Sequence, residues 1–408
     1  MCQENVVRPW RLRPDSFGVE HMKLLKHMVA FVTFCNMFHT FAVTVAPMDV
    51  GSSNCIETVD GIPLKYMIRQ GKAILRNVDG VGHRSAVPDY TVGLLSVPKK
   101  IGGHELAKIG NRAFYGCTNL TEVILPFGVD EIGGRAFMGC KNLRTVVMPS
   151  SVMAIGGGAF LNCDRLEAVD IPSGVMHVRP YTFGGCKSLR SLSLPLTLQD
   201  IGWGAFSSSG LIEVSIPHSV TNIGNCAFAG CVFLRHVRLP ARSCKIGTQA
   251  FYSCNLLEEI RLPFGMENIP VESFTHCLRL RLINIPESVR KIDDFAFSDC
   301  KMLASVKIPG AITNIGDYAF CGCKSIKSIT IPNSVVHMGS GALLGCDNLK
   351  SVRFMGDAPC TSMGMPFSTN VVLEIRRGTA GWTDGKWRFY DKRYFTTRRY
   401  DEKNQSRD

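Results

Sequence analysis

One unit recurs along residues 109 to 354, and it limits the fold more than any other feature of the chain. Its first two copies read Ile109-Gly110-Asn111-Arg112-Ala113-Phe114-Tyr115-Gly116-Cys117-Thr118-Asn119-Leu120 and Ile132-Gly133-Gly134-Arg135-Ala136-Phe137-Met138-Gly139-Cys140-Lys141-Asn142-Leu143. Units open at Ile109, Ile132, Ile155, Val178, Ile201, Ile223, Ile246, Ile269, Ile292, Ile315 and Met338, at steps of 23 residues except the 22 from Ile201 to Ile223. Eleven copies at one period predict a solenoid, in which each coil packs only on its neighbours. A single elongated domain can therefore account for most of the 408 residues.

Within a unit the apolar pattern changes period. In the second, Leu143, Val146 and Met148 point inward while Thr145 and Val147 point outward, the alternation of a strand. Pro149 ends it, because proline has no N–H to give the ladder. Val152 and Ile155 return inward, Gly156 permits a corner, and Ala159 and Phe160 fill a convex side expected to hold a short helical turn. Phenylalanine recurs as Phe114, Phe137, Phe160, Phe183, Phe206, Phe228, Phe251, Phe274, Phe297 and Phe320, an aromatic spine that ends at Leu343.

The 17 cysteines invite a disulfide or metal framework, but their placement argues otherwise. Cys117, Cys140, Cys163, Cys186, Cys231, Cys254, Cys277, Cys300, Cys323 and Cys346 share one repeat position, with Ser209 in the short fifth unit. They must form one column along the solenoid. Parallel side chains on stacked rungs suit disulfide dihedrals poorly, and a 23-residue ladder without histidine partners supplies no metal set. The column reads as small buried thiols filling a tight corner. No metal and no cofactor are expected.

Outside the array the chain divides as follows. Residues 1–46 form an extension and a signal-like segment: Met22-Lys23-Leu24-Leu25-Lys26 precedes an apolar run from Met28 to Val45, with small residues near Ala46. The true start is read as Met22. Asn36 and His39 interrupt the run, and it falls short of the ~20 apolar residues of a membrane span. Residues 47–105 are expected to be an amino-terminal cap: Leu64, Tyr66 and Ile68 alternate, Gln70-Gly71 turns, Ala73 and Leu75 alternate again, and Leu94 to Pro98 resembles the strand half of a unit. Residues 106–359 are the repeats. Residues 360–408 hold a last strand at Val371, Leu373 and Ile375, a lid at Gly381-Trp382, and a basic aromatic tail.

The unit IGxxAFxGCxxLxxVxIPxxVxx resembles the BspA-like class of leucine-rich repeats. Ile223-Gly224-Asn225-Cys226-Ala227-Phe228-Ala229-Gly230-Cys231 and Ile315-Gly316-Asp317-Tyr318-Ala319-Phe320-Cys321-Gly322-Cys323 carry the likeness, and the segments around Asp60-Gly61 and Phe354-Met355-Gly356 resemble the caps of bacterial members. The resemblance implies an α/β repeat solenoid: a right-handed leucine-rich-repeat superhelix with a continuous parallel β-sheet on one face and an irregular, short-helical convex side. It also implies a secreted or cell-surface protein engaged in adhesion or protein binding, with no shared catalytic motif.

The outward strand positions are the functional candidates. One row runs Ile124, Val147, Asp170, Ser193, Ser215, Arg238, Arg261, Asn284, Lys307, Thr330, Arg353; beside it runs Glu122, Thr145, Ala168, Ser191, Glu213, His236, Glu259, Leu282, Ser305, Ser328, Ser351. Stacking would align Arg238, Arg261, Lys307 and Arg353 as a basic stripe with His236 and Glu259 alongside. In a chain of formal charge +12 such a stripe suits an acidic protein or an anionic glycan. The plainer reading is a solvated face whose charges protect an open sheet. The aromatic and basic residues of the tail, from Trp382 to Tyr400, could serve nucleic acid, but with a signal-like segment capping and surface attachment fit better. No Ser-His-Asp set, paired carboxylates or phosphate loop is visible. The expectation is a monomeric, non-catalytic binding protein without a membrane span once the signal is removed. The alternatives are a structural spacer and an intracellular scaffold.

Overall fold

The computed structural model describes residues 54–76, 85–242, 244–361, 366–367, 371–382 and 396–401. The proposed signal segment, Trp387, Phe389 and the rest of the basic tail up to Phe395 lie outside them. From Ser52 onward the chain is one compact unit, a solenoid built from two parallel ribbons.

The first ribbon carries the predicted strands. Glu213–Ser215, His236–Arg238, Glu259–Arg261 and Leu282–Asn284 pair in parallel, with Val214, Val237, Ile260 and Ile283 buried between exposed neighbours. The second ribbon is made of two-residue strands on the opening residue of each unit. Ile109, Ile132 and Ile155 pair in register, as do Val178, Ile201, Ile223 and Ile246, and Ile269, Ile292, Ile315 and Met338. The sequence pattern marks these residues only as corner fillers; two residues are too few for an alternation to register.

The expected continuous sheet is not what forms. The first ribbon is interrupted, with Ala168–Asp170 and Ser191–Ser193 forming a separate pair, and residues 304–308 joining no strand. The expected short-helical convex side is also absent: among the described residues there is no helix, so the fold is a parallel β-solenoid and not an α/β one. The cause lies in the backbone hydrogen bonds. Arg112, Phe114 and Gly116 donate to the next coil, to Gly134 O at 3.1 Å, Ala136 O at 2.7 Å and Met138 O at 2.9 Å, while Ala113, Tyr115 and Cys117 close turns within their own coil. A helix keeps its bonds to itself; here every second N–H is spent on stacking. Two left-handed corners per coil, such as Arg135 at φ 56° and Gly139 at φ 77°, stop helical propagation as well.

The core is a set of columns. All ten phenylalanines are buried and stacked, with ring centroids 4.5 to 5.6 Å apart and planes within 15°. The ten cysteines are free and buried. From Cys140 on, each donates its thiol to the phenylalanine carbonyl of the coil below, Cys140 to Phe114 at 2.9 Å and Cys254 to Phe228 at 3.3 Å. That carbonyl already accepts the N–H of its own coil, as Phe114 O does from Cys117. The thiol thus fills a buried corner and gives a second donor, which an alanine, smaller and without a donor, could not.

The ends extend further than the sequence indicated. The predicted hairpin exists: Ile62–Arg69 pairs antiparallel with Lys72–Leu75 across Gln70-Gly71, both at positive φ. A preceding strand, Asn54–Val59, turns through Asp60-Gly61 in the same way. At the other end the pattern does not stop at Phe354. Cys360–Thr361 pairs with His337–Met338, and Phe367 bridges to Leu343, giving a degenerate further coil. Trp382 is buried edge-on against Phe354, 4.8 Å between centroids. A last strand, Thr396–Tyr400, pairs with Val372–Arg376 where only tail was expected.

Candidate recognition face

The outward residues of the first ribbon are exposed except Ser351 and Arg353, which are half-buried, and they divide the face by chemistry. The amino-terminal end is apolar, with Leu94, Ile124 and Val147 exposed. The middle is polar and charged. Glu213, His236 and Glu259 stand in one register row, and Ser215 pairs with Arg238 in the next.

The four predicted cations are not equivalent. Lys307 stands on a segment in no strand and meets Glu287 at 3.4 Å, both side chains well exposed. Arg353 is tied to Glu374 at 2.6 Å and lies over the Tyr400 ring at 5.2 Å. Arg238 and Arg261 have no ion-pair partner among the described residues and stand on paired neighbouring strands. The stripe of four is therefore a free pair towards one end and two ion-paired cations towards the other. Glu374 lies on the strand that pairs with the last repeat strand and Tyr400 on the strand beyond it, and neither pairing was legible from spacing.

A groove of about 610 Å³ opens beside this pair, between Ser191 on one side and Glu213, Ser215, His236, Arg238 and Glu259 on the other. The short fifth unit lies beside it. Elsewhere three steps separate the cysteine position from the following core leucine, as in Cys186 to Leu189; here Ser209-Gly210-Leu211 takes two. The tightened turn presses on the coil below, and a Cβ on Gly210 would lie 2.1 Å from Lys187 O. The strand that follows, Glu213–Ser215, is not hydrogen-bonded to Ser191–Ser193. Leu192 is half-buried where Val169, Val214 and Val237 are buried. Arg190 bridges the break, donating to Gly210 O at 3.2 Å with its guanidinium 4.8 Å from the Phe233 ring centroid. The 22-residue step was visible in the sequence; that Ser191–Ser193 and Glu213–Ser215 do not pair was not.

Among the described residues no group of three His, Cys, Asp or Glu side chains could hold a metal ion, and no helix is long and apolar enough to cross a membrane. Burial raises the thiol of Cys117 to about 12 and that of Cys231 to about 11, so neither is poised as a nucleophile.

A solenoid of this unit length and pattern belongs to the leucine-rich-repeat class. The model of the BspA type leucine rich repeat region matches residues 107–235 and 244–363, more than half of the chain, and the protein is a member of that family. A leucine-rich repeat protein from Bacteroides ovatus shares 22% identity, covering 84% of this chain and 99% of its own, with a TM-score of 0.56. The pneumococcal vaccine antigen PcpA shares 18% identity over 85% of this chain and 98% of its own, with a TM-score of 0.54. A leucine rich cell surface protein from Faecalibacterium prausnitzii shares 25% identity over 77% of this chain and 97% of its own, with a TM-score of 0.47. No curated protein sequence matches the chain.

Proposed function

We propose that this is a non-catalytic recognition protein, exported to the cell surface or beyond, that binds a protein or an anionic glycan through its strand face. The observation that carries the reading is the free pair Arg238 and Arg261 beside a groove on an exposed β-face. Two unneutralised guanidiniums on neighbouring rungs favour an acidic partner, and the rigid stack behind them presents both without rearrangement. Export is supported by the signal-like segment from Met22 to Ala46 and by family membership, since BspA-like proteins are typically secreted or surface-exposed. On this reading the chain acts as a monomer, residues 47–105 and 360–408 close its ends, and no cofactor takes part.

The test is binding of the wild type and of Arg238→Glu with Arg261→Glu to a panel of extracellular matrix proteins and sulfated or carboxylated glycans at low ionic strength. The expected result is a partner that binds the wild type, is released as salt rises, and is lost in the double variant. If every partner binds both proteins equally, the strand-face reading is wrong.

A further inference from the structure

We infer that the groove at the short coil is a site for a carboxylate-bearing sugar, a uronic or sialic acid unit of a glycan. The inference rests on the strand-face reading and narrows it to one ligand chemistry and one place.

The volume of about 610 Å³ is in the range of small-ligand sites and far larger than the gaps between close-packed side chains. Its rim mixes charges in a definite way. Arg238 supplies a planar double donor with no carboxylate of its own among the described residues, the geometry that grips a carboxylate through two parallel hydrogen bonds. Glu213 and Glu259 flank His236 in the adjoining row and can only accept hydrogen bonds while ionised. Ser191 and Ser215 can donate or accept on either side. A ligand that satisfies all of these carries one anionic group and several O–H donors.

An acidic sugar has that composition. An acidic peptide does not: carboxylates placed to meet Arg238 would bring others against Glu213 and Glu259, at a like-charge cost. A neutral sugar would leave Arg238 unanswered. The broken ladder adds the polar backbone edges of Ser191–Ser193 and Glu213–Ser215, which are not paired to each other.

The experiment is titration of the full chain with sialyllactose and with a glucuronate-containing tetrasaccharide, followed by calorimetry or ligand-detected NMR. Lactose and a poly-glutamate peptide serve as controls, and Arg238→Gln as the variant. The expected result is saturable binding of at least one acidic sugar with a Kd near or below about 1 mM, no saturation with lactose or the peptide, and weakening of about tenfold or more in Arg238→Gln. Which acidic sugar binds separates the sialic from the uronic source.

Failure of both acidic sugars to saturate overturns the inference. So does binding unchanged in Arg238→Gln, or a poly-glutamate peptide that binds as well as the sugars. If the sugars fail while the Arg238→Glu, Arg261→Glu protein still loses a panel partner, the strand-face reading survives and only this site falls.

Discussion

Ser273 sits at a position where most other coils have alanine, fully buried, and its hydroxyl has no partner among the described residues. Thr182, the other exception, donates to Arg179 O at 2.7 Å. An unpartnered buried hydroxyl keeps its desolvation cost without return. Ser273→Ala should therefore stabilise the fold by about 1 kcal/mol, read as a higher urea midpoint; a lower midpoint would mean the hydroxyl is satisfied. The glycines give a second comparison. At Gly139 an added Cβ meets only Gly116 Cα at 3.9 Å, so Gly139→Ala bears the strain of φ 77° alone, about 1–2 kcal/mol. At Gly133 it would lie 2.5 Å from Asn111 N and 2.6 Å from Gly110 C. Coils would have to move apart, so Gly133→Ala should be the more damaging of the two in the same titration. Equal losses would show that stacking tolerates the extra atom.

The columns decide what happens at the level of elements. Removing Phe251 from mid-stack leaves Phe228 and Phe274 facing a void, and Phe251→Ala should cost about 3–5 kcal/mol. Scanning calorimetry checks this. Loss well under ~1 kcal/mol would mean that neighbouring coils close the gap. The thiol column makes stability depend on pH. Burial holds the thiols of Cys117 and Cys231 above their ordinary value of 9.0, at about 12 and about 11. In the folded chain they stay protonated while the unfolded chain ionises, so the contribution is complete below about pH 9 and is lost as pH rises towards the folded values. Each such thiol steepens the loss by about 1.4 kcal/mol per pH unit above its unfolded value. The urea midpoint should be flat near neutrality and fall steeply above about pH 9; replacing Cys254 and Cys277 with alanine should flatten the fall. The two main columns and the strand ribbon were legible in the sequence because each recurs at one repeat position. The helical turn was a wrong inference from an Ala-Phe pair: local spacing does not reveal that alternate N–H groups bond to another coil. The second ribbon was hidden for the same reason.

At the scale of the molecule, the face was readable and its energetics were not. Arg353, in one outward row, is half-buried and tied to Glu374, which lies outside the repeats, and the groove lies where adjacent strands fail to pair. The ten thiols bear on where the molecule works. Free and buried, they are shielded from solvent once the chain is folded, and a column of free thiols would also suit the reducing compartment of the scaffold alternative. The central claim is an exported recognition solenoid, and its most direct test is the mature amino terminus of the protein in its own host, determined together with cell fractionation. Cleavage near residues 42 to 47 and recovery at or beyond the cell surface is the predicted result. An intact amino terminus on protein confined to the cytosol would contradict the account and turn the search for the strand face's partner to the inside of the cell.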